Sequence, residues 1–243
     1  MQLIKLDAID STNDYLKKLS IGGHVENFTV VCTENQTNGR GQMGAKWISE
    51  AGKNLTMSVL IKDVLTDIND IYNLNVAVTL GVIKSLEKYN IPKLSIKWPN
   101  DILSDNKKIG GILIENSIKT NGEIVSIVGI GLNINQKNFA DLPKASSLSI
   151  IMGLEFDKNE ILKVITGNIK INAGRLMNNE SLKLWADYNE RLFKKGIPMP
   201  FENLNRQQFM GIIQGVSEDG RLQLLLEDDS IQLFGIKEIQ MLY

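Results

Sequence analysis

Two long apolar runs flank an Asn-Gly pair at Asn121-Gly122: "ILIENSIK" before it and "EIVSIVGIGLNI" after it. Asn-Gly readily takes the positive φ angles that a two-residue hairpin turn requires. Two strands long enough to line a core are thereby set side by side and antiparallel. A second hairpin precedes them, because "DILSDNKKIGGILIEN" reverses at Ser104-Asp105-Asn106. Central strands joined by hairpins do not build the all-parallel sheet of a doubly wound fold, so the expectation is an α+β architecture.

The rest of the chain supplies flanking elements. "LIKL" is a short first strand, and Asp10 or Ser11 can N-cap a helix whose apolar face is Tyr15, Leu16 and Leu19. "FTVVC", "NLTMSVLIK" and "LSIKW" read as strands, the last closed by Pro99. Ile68, Ile71, Leu74, Val78, Val82 and Leu86 recur at helical spacing over residues 67–89. Two more helices are expected near 158–177 and 181–193. At Gly196-Ile197-Pro198-Met199-Pro200 the pattern changes to short apolar segments, "FMGIIQGV", "LQLLLE", "IQLFGI" and "EIQMLY". Their spacing is that of a small β-barrel. The expected division is an α+β domain over residues 1–195 and a small barrel over residues 196–243.

Charge and rare residues narrow the chemistry. The 27 basic and 28 acidic residues give a net charge of −1, without the basic footprint of a nucleic-acid binder. No apolar stretch approaches the roughly 18–20 residues of a membrane span. "MQLIKLDAID" has no apolar core of a secretory signal, so a cytoplasmic protein is the expectation. Cys32 is the single cysteine and lies in an apolar run, which reads as a buried, inert thiol. His24 is the single histidine, placed after Gly22-Gly23 in an expected turn, and reads as a solvated loop residue. Chemistry must then run on Lys, Arg, carboxylates and backbone groups.

"GRGQMGAKW", residues 39–47, concentrates three glycines, an arginine and a lysine. It matches G-x-G-x-x-G, but a strand follows where a dinucleotide site requires a helix. It is not a Walker A loop either, because Ala45 holds the lysine position and no Ser or Thr follows for Mg²⁺. What remains is a cationic strand-to-strand loop: Arg40 offers a planar fork for phosphate or carboxylate, and the glycines permit close backbone approach. A plain surface loop has the same composition. Further on, "KWPND" places Lys97 at a strand end and Asn100 and Asp101 at a reversal, and Lys108 precedes Ile109-Gly110-Gly111.

Together these elements resemble the biotin–protein ligases. "DSTND", "ENQTNGRGQMGAKW", "KWPND", "KKIGGILIE" and "GIGLNIN" follow that family's motifs in order over about residues 4–240. The resemblance implies a mixed-sheet core related to class II aminoacyl-tRNA synthetases, followed by a small SH3-like β-barrel. It implies a two-step ligase reaction using biotin, ATP and Mg²⁺. The biotin carboxylate attacks the α-phosphate to give biotinyl-5′-AMP and pyrophosphate. A lysine of a biotin carboxyl carrier domain of a biotin-dependent carboxylase then takes the biotinyl group.

Carried over by motif, Ser11, Thr12, Asn13 and Gln36 would line the biotin pocket. Gly39, Arg40, Gly41 and Gln42 would close over it, with Gly110 and Gly111 beside it. Lys108 would contact the carboxylate and α-phosphate oxygens, so that Arg40 and Lys108 form the catalytic pair. Arg40, Gln42, Trp47, Lys97, Asn100, Asp101, Lys108 and Asn133 would serve the adenylate, with Asp101 or Asn100 as partner of Mg²⁺. Trp47 and Trp98 each suit a core position or a stacking surface for adenine, and Asn133 suits a ligand contact or a strand cap.

The chain departs from the family at Gln42 and Ala45, where many members carry arginine. Two positive charges are lost from a loop tied to adenylate retention. The first core strand stands about ten residues before "DSTND", so the expectation is a monofunctional ligase without sequence-specific DNA binding. Edge strands of the sheet are available for a homodimer. Two rivals share much of the pattern: a lipoate– or octanoate–protein ligase or transferase, and a non-catalytic biotin sensor.

Overall fold

The computed structural model describes residues 2–22, 24–140 and 142–243. The Gly22-Gly23 turn expected before His24 falls on Gly23, outside the described residues. Seven strands form the larger sheet, in the order β1-β2-β3-β7-β6-β5-β4. They are β1 Leu3–Ile9, β2 Val30–Gln36, β3 Leu55–Lys62, β4 Leu94–Lys97, β5 Asp101–Ser104, β6 Lys107–Ile118 and β7 Ile124–Leu132. The two expected hairpins, β5–β6 and β6–β7, lie at its centre and edge. The sheet is mixed because β1 runs parallel to β2, joined by helix α1, Thr12–Gly22. The other pairs in it are antiparallel.

Period-2 alternation sorts side chains to the two faces. On β3, Leu55, Met57, Val59 and Ile61 join the main core, where helices α2 Ile71–Glu87, α4 Lys158–Met177 and α5 Ser181–Glu190 lie. Leu60 points the other way and meets Leu16 of α1, with Val125 and Ile127 of β7. Almost all of α2 is buried, as its nearly all-round apolar composition requires. A five-residue helix, α3 Leu148–Met152, was not expected; Ser147 caps it and Gly153 ends it in the left-handed region. Among the described residues no helix is long and apolar enough to cross a membrane.

A second, five-stranded antiparallel sheet follows, in the order β11-β10-β9-β8-β12. Its strands are β8 Pro198–Asn203, β9 Gln208–Val216, β10 Leu222–Leu226, β11 Ile231–Phe234 and β12 Ile239–Met241. Sequence patterning missed β8, because prolines at 198 and 200 lower any strand expectation. The register shows how they are tolerated. β12 pairs only with Phe201–Asn203, so Pro198 begins the strand beyond that ladder, and Pro200 takes part as an acceptor through its carbonyl, from Leu242 N–H at 2.9 Å.

The two sheets share one core, since Phe201, Ile213, Leu222 and Met241 cluster with Ile96, Leu192 and Phe193. Polar contacts fix the docking. Trp98 Nε1 donates to the Gly220 carbonyl at 2.9 Å, and Val216 N–H donates to Asn189 Oδ1 at 2.8 Å. Trp98 is therefore a tether between the sheets. Gly220 has φ of +83°, and a Cβ there would lie 2.0 Å from Tyr72 Cε1 of α2. Gly220→Ala is expected to destabilise the protein by about 1–3 kcal/mol through overpacking at this junction. Thermal unfolding followed by circular dichroism measures it; an unchanged midpoint would show that the junction does not depend on this contact.

Candidate active site

A cleft of about 250 Å³ opens at the α1 end of the larger sheet, between α1, the β2–β3 loop and strands β5, β6 and β7. Its floor follows from the alternation already described. Along β7 the residues on the α1 face run Val125, Ile127, Gly129, Gly131. The side chains shrink to nothing where the cleft begins. Gly131 pairs with Gly111 of β6, and Gly129 pairs with Leu113. A Cβ on Gly131 would lie 2.4 Å from Trp47 Cε2, and one on Gly129 would lie 2.6 Å from Asn13 Oδ1.

One wall is the start of α1. Ser11 Oγ accepts from Asp14 N–H at 3.3 Å, and Ser11, not Asp10, caps the helix. Ser11, Thr12 and Asn13 are all buried. Gln36 Oε1 accepts from Thr12 N–H at 2.9 Å. Ser58 Oγ lies 2.7 Å from Thr12 Oγ1 and 2.6 Å from Asn13 Oδ1. Asn13 Nδ2 donates to Glu115 Oε2 at 2.7 Å. These groups hold one another in place, which fixes the orientation of donors and acceptors along the wall.

The glycine-rich loop forms the roof. It is a small hydrogen-bonded hairpin: Gly41 N–H donates to Ala45 O at 2.7 Å and Trp47 N–H to Gly39 O at 3.0 Å. Arg40 and Lys46 face one another across it. Arg40 lines the cleft with its guanidinium already engaged. Its guanidinium donates to Asp14 at 2.5 Å and to Glu115 at 3.2 and 3.3 Å, anchoring the loop on α1 and β6. Among the described residues the buried indole N–H of Trp47 has no acceptor. Buried polar groups are seldom left so, and an acceptor on a ligand would offset the cost.

The cationic end is built by β5 and β6. Lys108 Nζ lies 2.6 Å from Asp101 Oδ1. Asn100 Nδ2 donates to the Ile112 carbonyl at 2.5 Å, which commits its nitrogen and leaves its oxygen as the acceptor. Among the described residues no group of three His, Cys, Asp or Glu is arranged to hold a metal ion. One carboxylate with one amide oxygen does suit Mg²⁺ carried chiefly by substrate phosphates.

The structure thus gathers Ser11, Thr12, Asn13, Gln36, Arg40, Gly41, Gln42, Trp47, Asn100, Asp101, Lys108 and Gly111 around one cleft. Four expected residues do not line it. Gly39 is buried at the neck of the loop, and Gly110 is buried where a Cβ would lie 2.9 Å from Gly131 O. Asn133 is buried and donates to the Ser146 carbonyl at 3.0 Å, tying down the segment after β7. Lys97 stands opposite Asp101 on the β4–β5 pair, with its Nζ over the Tyr243 ring at 4.9 Å from the centroid. Thr56, Gly129 and Gly131 were overlooked, although glycines alternating with apolar residues in "VGIGL" are a signal of close approach. Cys32 is half-buried and away from the cleft; burial pushes its thiol pKa up, with Lys5 opposing. His24 is exposed and also lies away from it.

Comparison with known proteins places these features in context. A family described as the biotin/lipoate A/B protein ligase family matches residues 6–135. The bifunctional ligase/repressor BirA of Bacillus spizizenii is 33% identical over 98% of this chain and 71% of its own length. The biotin–[acetyl-CoA-carboxylase] ligase of Mycobacterium tuberculosis is 29% identical over 88% of this chain and 79% of its own. The biotin protein ligase of Aquifex aeolicus, solved in complex with biotin and ATP, superposes with a TM-score of 0.80. It is 28% identical, and the match covers 99% of this chain and 98% of that one.

Gly131→Ala is expected to displace the Trp47 ring while leaving the sheet intact. The intrinsic tryptophan emission should shift, with no such shift when the substitution is made in a Trp47→Phe background. An unshifted spectrum would mean that the ring does not rest on this glycine.

Proposed function

The chain belongs to the biotin/lipoate A/B protein ligase family, and on that premise we propose how its residues share the work of an ATP-dependent biotin–protein ligase. It joins biotin to AMP and then transfers the biotinyl group to a lysine on the biotin carboxyl carrier domain of a biotin-dependent carboxylase. The observation that carries this assignment to the cleft is the side-chain-free floor at Gly111, Gly129 and Gly131. It lies between a neutral hydrogen-bonding wall and a cationic end. An uncharged fused ring with a polar edge suits the floor and wall, and a carboxylate meeting a phosphate suits the other end.

Ser11, Thr12, Asn13 and Gln36 present the polar edge that orients the ring of biotin. Trp47 closes over it from the loop, and its unpartnered N–H supplies a donor for the adenylate. Lys108 sits where the carboxylate and α-phosphate must meet. Two anions repel, and the transition state gathers charge at phosphorus, so a preorganised ammonium lowers the barrier. Asp101 holds Lys108 in position. When bound, Mg²⁺ supplies further charge on the phosphates, and Asp101 and Asn100 are the residues placed to hold it. Arg40, engaged by Asp14 and Glu115, positions the roof. Lys46 and the loop N–H groups are left to meet the phosphate where related loops use arginine.

In the second step the acceptor lysine attacks the mixed anhydride as a neutral amine, and AMP leaves. The roof keeps the anhydride from water until the carrier domain arrives.

Lys108→Ala is expected to lower biotinyl-5′-AMP formation by roughly 10²–10³-fold while biotin still binds. Adenylate formation is read chromatographically from ATP, Mg²⁺ and biotin. A variant as active as the parent would remove Lys108 from the chemistry. Calorimetric titration should show binding of biotin and none of lipoate at equal concentration; preference for lipoate would reverse the substrate assignment.

A further inference from the structure

The positive charge at the cationic end does not stop at Lys108. Lys97 and Lys144 lie over the ring of Tyr243, with Nζ at 4.9 and 4.2 Å from its centroid. The main chain ties this group to the catalytic strand. Lys108 N–H donates to Lys144 O at 2.8 Å, and Ser146 N–H donates to Lys108 O at 3.0 Å. Lys107 and Lys108 are neighbours on β6; one lines the cleft and the other a cavity of about 370 Å³ beside it. That cavity is also lined by Lys144, Lys194 and Tyr243.

Lys108 is ion-paired with Asp101, Lys97 stands opposite Asp101 on the β4–β5 pair, and Lys144 shares the Tyr243 ring with Lys97. The three therefore form a chain of neighbouring ammonium groups. Charges of one sign held this close repel one another, and a bound anion relieves the repulsion.

The first half-reaction provides such an anion. Attack by the carboxylate forms the new bond at the α-phosphorus and breaks the bond to the β-phosphate oxygen. Pyrophosphate leaves with that electron pair, on the side roughly opposite the attacking oxygen. With Lys108 at the α-phosphate, Lys97 and Lys144 are the cations tied to it on the side of β4 and of the segment after β7. We propose that Lys144, seated on Tyr243 beside Lys97, forms the subsite for the β- and γ-phosphates of ATP and for the departing pyrophosphate. This rests on the ligase assignment above.

The test compares Lys144→Gln and Lys144→Arg in the full chain. Four quantities are read: the ATP KM in adenylate formation, the inhibition constant of inorganic pyrophosphate, biotin affinity, and transfer from synthetic biotinyl-5′-AMP to a carrier domain. Lys144→Gln should raise the ATP KM and the pyrophosphate inhibition constant each by about tenfold, the scale of one hydrogen bond to a charged group. Lys144→Arg should restore both, and biotin affinity and transfer should stay at parental values. If neither phosphate-linked quantity moves in Lys144→Gln, the proposal is overturned. Equal losses in biotin affinity and transfer would also overturn it, since they would mark a structural role. A parent protein that forms no biotinyl-5′-AMP would instead overturn the ligase assignment, and this subsite with it.

Discussion

The site depends on an absence of side chains at one place in the sheet. Gly111 faces Gly131 across the β6–β7 ladder, and Gly129 stands two residues away on the same face. A strand face normally fills with side chains; here the pleat exposes bare backbone, and α1 and the glycine-rich loop close over the space. Trp47 and Asn13 occupy positions where a single Cβ on Gly131 or Gly129 would collide with them. The same two strands supply Ile112, Val128, Ile130 and Leu132 to the core on the opposite face. Alternation lets one hairpin serve as both the scaffold and the floor of the cleft.

Electrostatics divide along that floor. At the α1 end Arg40 stands between two carboxylates, Asp14 and Glu115, and the wall residues Ser11, Thr12, Asn13 and Gln36 are neutral. At the β5 end Lys108 stands with Asp101 and further lysines behind it. A substrate with an uncharged ring and an anionic tail suits this division. Arg40 lines the cleft and also ties the roof to α1 and β6 through Asp14 and Glu115.

Much of this was legible in the sequence for a physical reason. Hairpin signals such as Asn121-Gly122 are local, and the apolar spacing of α2 is regular over five turns, so both survive without tertiary information. The motifs from Ser11 to Lys108 likewise came together around one cleft. What escaped was set by long-range packing. β8 is a strand despite Pro198 and Pro200, because the register places those residues where their missing N–H groups are tolerated. Asn133, which the sequence allows as a ligand contact or a strand cap, donates to the Ser146 carbonyl just beyond β7. Gly129 and Gly131 passed as ordinary strand glycines until Asn13 and Trp47 arrived from distant parts of the chain. Lys97 belongs to a motif at the cleft, yet its side chain turns toward Tyr243, which no local pattern links to it.

The central claim is that this cleft activates biotin and passes it to a carrier-protein lysine. Incubating the protein with ATP, Mg²⁺, biotin and a biotin carboxyl carrier domain, then taking the intact mass of the acceptor, tests it most directly. The account predicts one biotinyl group on a single lysine, dependent on ATP. An unmodified acceptor, or an acceptor modified only when lipoate or an octanoyl donor replaces biotin, would contradict it.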